Sequence, residues 1–329
     1  MSVICGFGPE ALTMSETWGF VGLGNIGYPM AMNLREKMPA SHTLVIRDTN
    51  VDAMKRFVEE VREMTKSKGA ASNSMKLEVA NNAGEVAEKS SVPNLNNLVI
   101  DGLFAQTVLI TCLPSPQIVK VLFQGILKDG QLPPLELERL FIDCSTIDPP
   151  SSKEVAESVH TSHSGSFVDA PVSGGTVGAR AGTLSFMFGA PKSSQLLGRV
   201  KAPGIWGEQG AGVSSKLVNN YILSITNIAT AEGLNMGRQL GLDLKTLTEL
   251  IKSSTGRCWP LEANNPVPGV DENAPASHGY KPGGTVNIVK KDLGLAMVGA
   301  EASGTSLPLA SAAYKVYQDV GESDGGKDF

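Results

Sequence analysis

Three short stretches of this chain hold residue types that could do chemistry. The first is Gly22-Leu-Gly24-Asn25-Ile26-Gly27. Placed after a strand and before a helix, that spacing suits a pyrophosphate. Gly22 permits the tight turn, Gly24 lets the phosphates approach the backbone, and Gly27 lets the helix pack close to the sheet. The helix N-terminus then faces the anion. Asp48 ends the next β-rich run, 21 residues after Gly27. A carboxylate there accepts hydrogen bonds from both ribose hydroxyls and repels a 2′-phosphate, which favours NAD over NADP. Arg47 is the counter-signal, although strand alternation points it to the opposite face. A glycine-rich turn of another α/β protein is the bland alternative, and the strand–turn–helix context weighs against it. A second glycine pair, "GFG" at 6–8, precedes Pro9 and follows no strand, so it is set aside.

The second stretch is "DAPVSGG" (169–175), followed by Gly178, Gly182 and Thr183. Small residues after a strand leave backbone N–H groups available to an anion. A substrate carboxylate fits there, with Ser173 adding a hydroxyl; an ordinary tight turn fits equally well. The third stretch is "VSSKLVNN" (213–220). On a helix, Lys216 and Asn220 lie one turn apart on one face, and Ser224 and Asn227 continue the line. Leu217, Val218, Tyr221, Ile222, Ile225 and Ile228 occupy most of the rest, which predicts a largely buried helix with a narrow polar stripe. The lysine either snorkels to solvent or works in a cleft, where burial lowers its pKa into the range of a general acid–base group. Spacing alone leaves both open. His42, His160, His163 and His278 form no ligand pattern with Cys or Asp, so neither a catalytic histidine nor a metal is expected.

These stretches need elements to position them. "TWGFVG" (17–22), "TLVIRD" (43–48), "TVLITCL" (107–113), "LFIDCST" (140–146) and a run ending in "FVDAPVSGG" (167–175) read as strands. Their continuous apolar character suits a parallel sheet covered on both faces. Helical spacing follows Gly24, recurs over 51–64 with Met54, Phe57, Val58 and Val61 on one side, and recurs briefly in "AGEVAEKS". "TKSKGAASNS" and "SVPNLNN" read as loops, and "TLSFMFGA" and "GIWGEQG" as added edge strands. After Gly212 the pattern is helical, over 212–240, 243–253, 285–302 and 308–319, with a Pro-, Gly- and Asn-rich break between the second and third. The fold class is therefore α/β: a doubly wound Rossmann-type sheet over 16–211, then an all-α domain over 212–329, with 1–15 as a flexible extension.

Bulk properties narrow the function classes. The net charge of −5 argues against a nucleic-acid partner, and no apolar run is long enough to span a bilayer. The four cysteines are scattered without a CxxC pair, which suits a reducing compartment. The N-terminal stretch lacks the basic residues of a secretory or mitochondrial leader, since the first basic residue is Arg35, so taken alone it reads as cytoplasmic.

Taken together, "GFVGLGNIGYPMAMNL", "TCLP" (111–114), "DCSTIDP" (143–149), "DAPVSGGTVGARAGTLSFMFG", "GAGVSSKLVNN" and "KKDLGLA" (290–296) resemble the β-hydroxyacid dehydrogenase family from about Trp18 onward. "SSTGRCWPLEANNPVPGV" (253–270) looks like the segment found in the family's 3-hydroxyisobutyrate enzymes rather than in its tartronate or succinic semialdehyde reductases. The resemblance implies NAD-dependent oxidation of 3-hydroxyisobutyrate to methylmalonate semialdehyde, a step of valine catabolism. It implies Lys216 as the catalytic acid–base residue. Ser173, Gly174 and Gly175 would hold the substrate carboxylate, and Asn220 would orient substrate and lysine. Gly22, Gly24, Asn25, Ile26, Gly27 and Asp48 would hold the dinucleotide, Leu113, Pro114 and Thr146 would line its nicotinamide side, and Lys291 would reach it, with Asp292 nearby. A homodimer or homotetramer formed through the helical domain and, in eukaryotes, a mitochondrial location are implied as well.

The sequence departs from the family in three places. Gly284 stands where relatives carry an aromatic residue after paired glycines, which bears on substrate choice. The chain stops at "GGKDF", where relatives continue, and 65–104 hold more loop than usual. Two alternatives to the leading reading are a semialdehyde reductase using NADPH and a non-catalytic scaffold that binds NAD. Retention of Lys216 and Asn220 disfavours the scaffold.

Overall fold

The structure is a computed structural model that describes residues 17–39, 42–67, 76–90, 107–128, 132, 139–190, 207–281, 284–324 and 327. The expected extension over 1–15, the loop at "SVPNLNN", most of "TKSKGAASNS" and the chain end lie outside those residues. By contact the chain divides into two compact units, Met1–Ser215 and Lys216–Phe329.

The first unit is built on six parallel strands: β1 (Thr17–Val21), β2 (Thr43–Arg47), β3 (Lys76–Val79), β4 (Thr107–Thr111), β5 (Arg139–Asp143) and β6 (Ser166–Asp169). Their order is β3-β2-β1-β4-β5-β6, so the direction of winding reverses between β1 and β4. In doubly wound sheets, ligands bind outside the carboxyl ends of the strands at such a reversal. Alternation along each strand feeds two apolar layers. One face of the sheet (Phe20, Leu44, Ile46, Ile110, Ile142) packs on α1 (Gly27–Lys37), α2 (Val51–Ser67) and α6 (Gly175–Ala181). The other face (Val21, Val45, Leu109, Phe141) packs on α3 (Ala83–Lys89), α4 (Pro116–Ile126) and α5 (Pro149–Thr161). Phe123 meets Phe141 and Phe167 edge-to-face at 5.5 and 5.3 Å. Such pairs are worth about 0.5–1.5 kcal/mol each beyond the area they bury.

Local sequence sets the helix starts. Ser115 caps α4 by accepting from the Ile118 N–H, and Asp148 caps α5 by accepting from the Ser151 N–H, each with proline in the first turn. The carboxyl ends of β4 and β5 are tied together beneath the surface. Thr111 Oγ1 donates to Asp143 Oδ1 at 2.7 Å, Ser145 Oγ donates to the same oxygen, and Leu113 N–H donates to Ser145 Oγ at 2.8 Å. "TLSFMFGA" meets the main sheet only through an isolated antiparallel bridge from Gly189 to Asp169 at the end of β6. Its Ser185–Phe186 (β8) pairs antiparallel with Val172–Ser173 (β7) in a separate two-stranded ribbon. Of "GIWGEQG", Gly207 forms an isolated bridge to Ala190 and residues 204–206 lie outside the described set.

The second unit holds α8 (Leu244–Lys252), α9 (Trp259–Ala263), α10 (Val286–Ala302), α11 (Ala310–Asp324) and most of α7 (Ala211–Gln239), which begins in the first unit. A short 3-10 turn, Pro275–His278, interrupts the Pro-rich break. Val286, Val289 and Leu293 of α10 pack on Ala313 and Tyr317 of α11, with Tyr221, Ile225 and Ile228 of α7 against them. α7 departs from its sequence expectation. Lys216, Asn220, Ser224, Asn227 and Thr230 form its buried face, whereas Val218 and Ile222 are 61% and 55% exposed. The polar line is buried together with Val213, Leu217 and Leu234. Its hydroxyls satisfy themselves along the helix, as where Ser224 Oγ donates to the Asn220 carbonyl at 2.7 Å. Across to α11, Tyr317 Oη donates to the Ser224 carbonyl at 3.0 Å.

Candidate active site

In the first unit, the turn after β1 is tight for a physical reason. Gly22 has φ 101°, and a Cβ there would lie 2.2 Å from the Cys112 carbonyl oxygen. A Cβ on Gly27 would lie 1.9 Å from the Gly22 carbonyl oxygen. No larger residue fits either position. A Cβ on Gly24, by contrast, would meet nothing within 4 Å. Gly24 and Asn25 are exposed, Ile26 is half-buried, and α1 starts without a side-chain cap. Its first N–H groups thus have no side-chain acceptor beside an open glycine, which is the arrangement a phosphate needs. The residues present therefore fit a dinucleotide.

Asp48 follows β2 directly. It accepts from the Leu23 N–H and, at 2.6 Å, from the Asn50 N–H, so the carboxylate also pins the glycine turn to the end of β2. Arg47 is in phase with Val45, yet its Nη1 lies 3.8 Å from Met54 Sδ of α2, on the other side of the sheet. The guanidinium thus curls over the strand end, contrary to the expectation from alternation. Leu113 is half-buried and Pro114 exposed after β4, and Thr146 is half-buried after β5. All three follow strands on the carboxyl side of the sheet, with Leu113 fixed by Ser145 as described above.

Ser173, Gly174 and Gly175 form the link from β7 into α6. Gly174 has φ 129° and Gly175 φ 61°, conformations that favour glycine, and both are exposed. A Cβ on Gly175 would meet nothing within 4 Å, so there is room for a small group beside it.

In the second unit, Lys216 and Asn220 share the buried face of α7 as the spacing predicts. Asn220 Nδ2 donates to Asp292 Oδ2 of α10 at 2.7 Å, and Asn220 Oδ1 accepts from Asn219 Nδ2 at 3.0 Å. Lys291 Nζ lies 2.9 Å from Asp292 Oδ1, an ion pair by distance without hydrogen-bond geometry. Lys216 Nζ makes no hydrogen bond to any described residue. Burial pushes its pKa down from the usual lysine value; the Asp292 charge pulls it back up, and Lys291 adds to the decrease. A buried amine that feels both a carboxylate and a second ammonium can gain and lose a proton nearer neutrality than an exposed lysine. Sequence reasoning placed Asp292 only near the site. Its part in holding Asn220 was hidden because the two residues are 72 positions apart. Among the described residues, no group of three or more His, Cys, Asp or Glu is arranged to hold a metal ion.

This sheet order, glycine turn and helical second unit define a dinucleotide-binding α/β protein with an appended helical unit. Two family models match the chain: the NAD binding domain of 6-phosphogluconate dehydrogenase over residues 17–198, and the NAD-binding domain of NADP-dependent 3-hydroxyisobutyrate dehydrogenase over 210–329. The chain is 36% identical over 322 residues to the probable mitochondrial 3-hydroxyisobutyrate dehydrogenase of Dictyostelium discoideum, covering 96% of this chain and 89% of that one. It is 36% identical over 306 residues to the mitochondrial 3-hydroxyisobutyrate dehydrogenase of Rattus norvegicus, covering 91% and 80%. Among solved structures, the Mycobacterium tuberculosis 3-hydroxyisobutyrate dehydrogenase with L-serine superposes with a TM-score of 0.76 at 32% identity, covering 96% and 97%. The chain belongs to the β-hydroxyacid dehydrogenase family, as an NAD(P)-binding oxidoreductase of the 3-hydroxyisobutyrate dehydrogenase type.

Proposed function

We propose that the protein oxidises 3-hydroxyisobutyrate to methylmalonate semialdehyde with NAD, using Lys216 as the general acid–base group. The observation that carries this reading is the buried Lys216 ammonium, whose pKa burial lowers and which no described residue hydrogen-bonds. In the oxidation, the substrate hydroxyl gives its proton to neutral Lys216 Nζ as the C–H hydrogen leaves with its electron pair, and the carbonyl forms. A bound nicotinamide supplies the acceptor for that hydride. In the reverse direction the ammonium returns the proton. Ser173, Gly174 and Gly175 hold the substrate carboxylate with a hydroxyl and exposed backbone N–H groups. Asn220, held by Asp292, orients the hydroxyl and the amine. Gly22, Gly24, Asn25, Ile26, Gly27 and Asp48 hold the dinucleotide, Leu113, Pro114 and Thr146 flank its nicotinamide end, and Lys291 reaches it.

The preference for NAD rests on the Asp48 carboxylate at the end of β2. NADP is the second reading. It is favoured by the Arg47 guanidinium, which lies toward α2, and by the NADP-dependent enzyme that describes the second family model. Residues 16–211 form the NAD-binding domain in this reading, and 212–329 the substrate and dimerisation domain. Val218, Ile222 and Met236 are 50% or more exposed on one stripe of α7, opposite its buried polar residues, which suits a homodimer or homotetramer. The mitochondrial names of the relatives support a mitochondrial location and a place in valine catabolism. The test is a panel of small 3-hydroxy acids assayed with NAD and NADP. The proposal expects 3-hydroxyisobutyrate with NAD to give the highest kcat/KM. Dinucleotide binding without hydride transfer to any panel member would refute it.

A further inference from the structure

Asp169 ends β6, four residues before Ser173, and its side chain is fully buried. Oδ1 accepts from the Gly210 N–H at 2.8 Å and from Gln209 Nε2 at 2.8 Å, and Oδ2 accepts from the Val213 N–H at 2.8 Å. Gln209 Nε2 also donates to Ser152 Oγ of α5 at 3.2 Å. The Gly210 and Val213 N–H groups open α7, where no preceding helical turn supplies acceptors. A carboxylate at that position also meets the positive end of the helix dipole. The backbone closes tightly around it. A Cβ on Gly189 would lie 2.1 Å from Oδ1, and one on Gly212 would lie 2.8 Å from Oδ2 and 2.1 Å from the Met187 carbonyl oxygen. Burial pushes the pKa of Asp169 up to about 6, with the Gly210 and Val213 N–H groups opposing the rise. The donors to this carboxylate, Gln209, Gly210 and Val213, thus lie in the segment that starts α7. Lys216 is three residues beyond Val213 on the same continuous helix.

We infer that Asp169 is a positioning residue for proton transfer: its carboxylate fixes the first turn of α7, the helix that carries Lys216. The inference rests on the reading of Lys216 as the acid–base group. A helix is stiff over a single turn, so a shift at Val213 is carried to Lys216. A misplacement of a reacting group by about 1 Å is enough to cost about a hundredfold in rate.

The experiment compares the full-length enzyme with Asp169→Asn, measuring kcat, KM, dinucleotide Kd and the primary deuterium isotope effect on kcat. Asparagine keeps the size but turns an N–H2 group toward N–H donors. The expected result is a fall in kcat of about 10- to 100-fold, with KM and dinucleotide Kd changed less than about threefold and a larger isotope effect. A folded Asp169→Asn enzyme with unchanged kcat overturns the inference. So does a parallel loss of kcat, KM and dinucleotide affinity, which marks a purely structural role. If Asp169→Asn does not fold, Gln209→Ala decides, since it removes one donor and leaves the backbone caps. A several-fold fall in kcat at constant KM and Kd supports positioning, and unchanged kcat overturns it. Lys216→Ala separates the two readings. If it turns over normally, both fall; if it is inactive, the Asp169→Asn result judges positioning alone.

Discussion

Asp292 is the residue on which the electrostatics of Lys216 turn, and Asp292→Asn is the perturbation that isolates it. The carboxylate holds Asn220 at 2.7 Å, lies 2.9 Å from Lys291 Nζ, and favours the charged form of Lys216. Asparagine preserves an acceptor for Asn220, so the loss in stability is limited to about 1 kcal/mol, the difference between a charge-assisted and a neutral hydrogen bond. The electrostatic effect falls on Lys216: an opposite charge favours the ammonium, so the Asp292 carboxylate opposes the downward pull of burial on its pKa. With Asp292 neutral, the Lys291 charge next to it acts unopposed in the same downward direction. The sign is therefore fixed: the pKa of Lys216 falls further, and the neutral base appears at lower pH. In the oxidative direction, the rising limb of log kcat/KM against pH moves to the acid side. The assay is a pH series of initial rates at saturating dinucleotide for wild type and variant. A limb that stays in place, or moves to higher pH, in a folded Asp292→Asn enzyme would refute the electrostatic reading of Lys216.

Two further outcomes follow from groups in the first unit. Asp48→Ser removes the charge that repels a 2′-phosphate, so the ratio of kcat/KM with NADP to that with NAD rises by about tenfold, equivalent to about 1.4 kcal/mol; an unchanged ratio in paired assays would move the discrimination elsewhere. Asp169 has its folded pKa raised to about 6, above the ordinary aspartate value of 3.8, so its contribution to stability is fully present below pH about 4 and is lost as pH rises through about 6. The two-unit gap corresponds to about 3 kcal/mol. The stability advantage of wild type over Asp169→Asn in urea titrations should shrink by about that amount between pH 4 and pH 7, and a constant difference would contradict the burial argument.

Much of the first unit was legible because its signals are local. The five apolar runs that became β1, β2, β4, β5 and β6 carry continuous β-rich burial, and the glycine turn follows β1 as its spacing requires. β3 was missed because "KLEV" is a short edge strand whose side chains mostly face solvent, so it shows no apolar run. α4 and α5 were not singled out, although Ser115-Pro116 and Asp148-Pro149 mark their starts. The pairing of Lys216 with Asn220 was legible from a single turn of helix. The partner Asp292 was not, because tertiary packing brings α10 to α7 across 72 residues. α7 misled in a different way. Its spacing predicts a largely buried helix with a narrow polar stripe; Leu217, Tyr221, Ile225 and Ile228 do pack inward, but Val218 and Ile222 lie outward and the polar line is buried with the rest. A hydrophobic pattern shows that a face is covered, not whether the cover comes from the same chain. The engagement of Asp169 with the start of α7 was equally hidden, since the motif that contains it reads locally as a turn.

The central claim is that Lys216 moves the hydroxyl proton. Its most direct test is Lys216→Ala, assayed for turnover of 3-hydroxyisobutyrate and, in the same preparation, for dinucleotide affinity. The account predicts a fall in kcat of at least about a hundredfold, as for loss of a general base, with dinucleotide Kd within about twofold of wild type. Turnover near the wild-type rate in a folded enzyme that binds dinucleotide normally would contradict it.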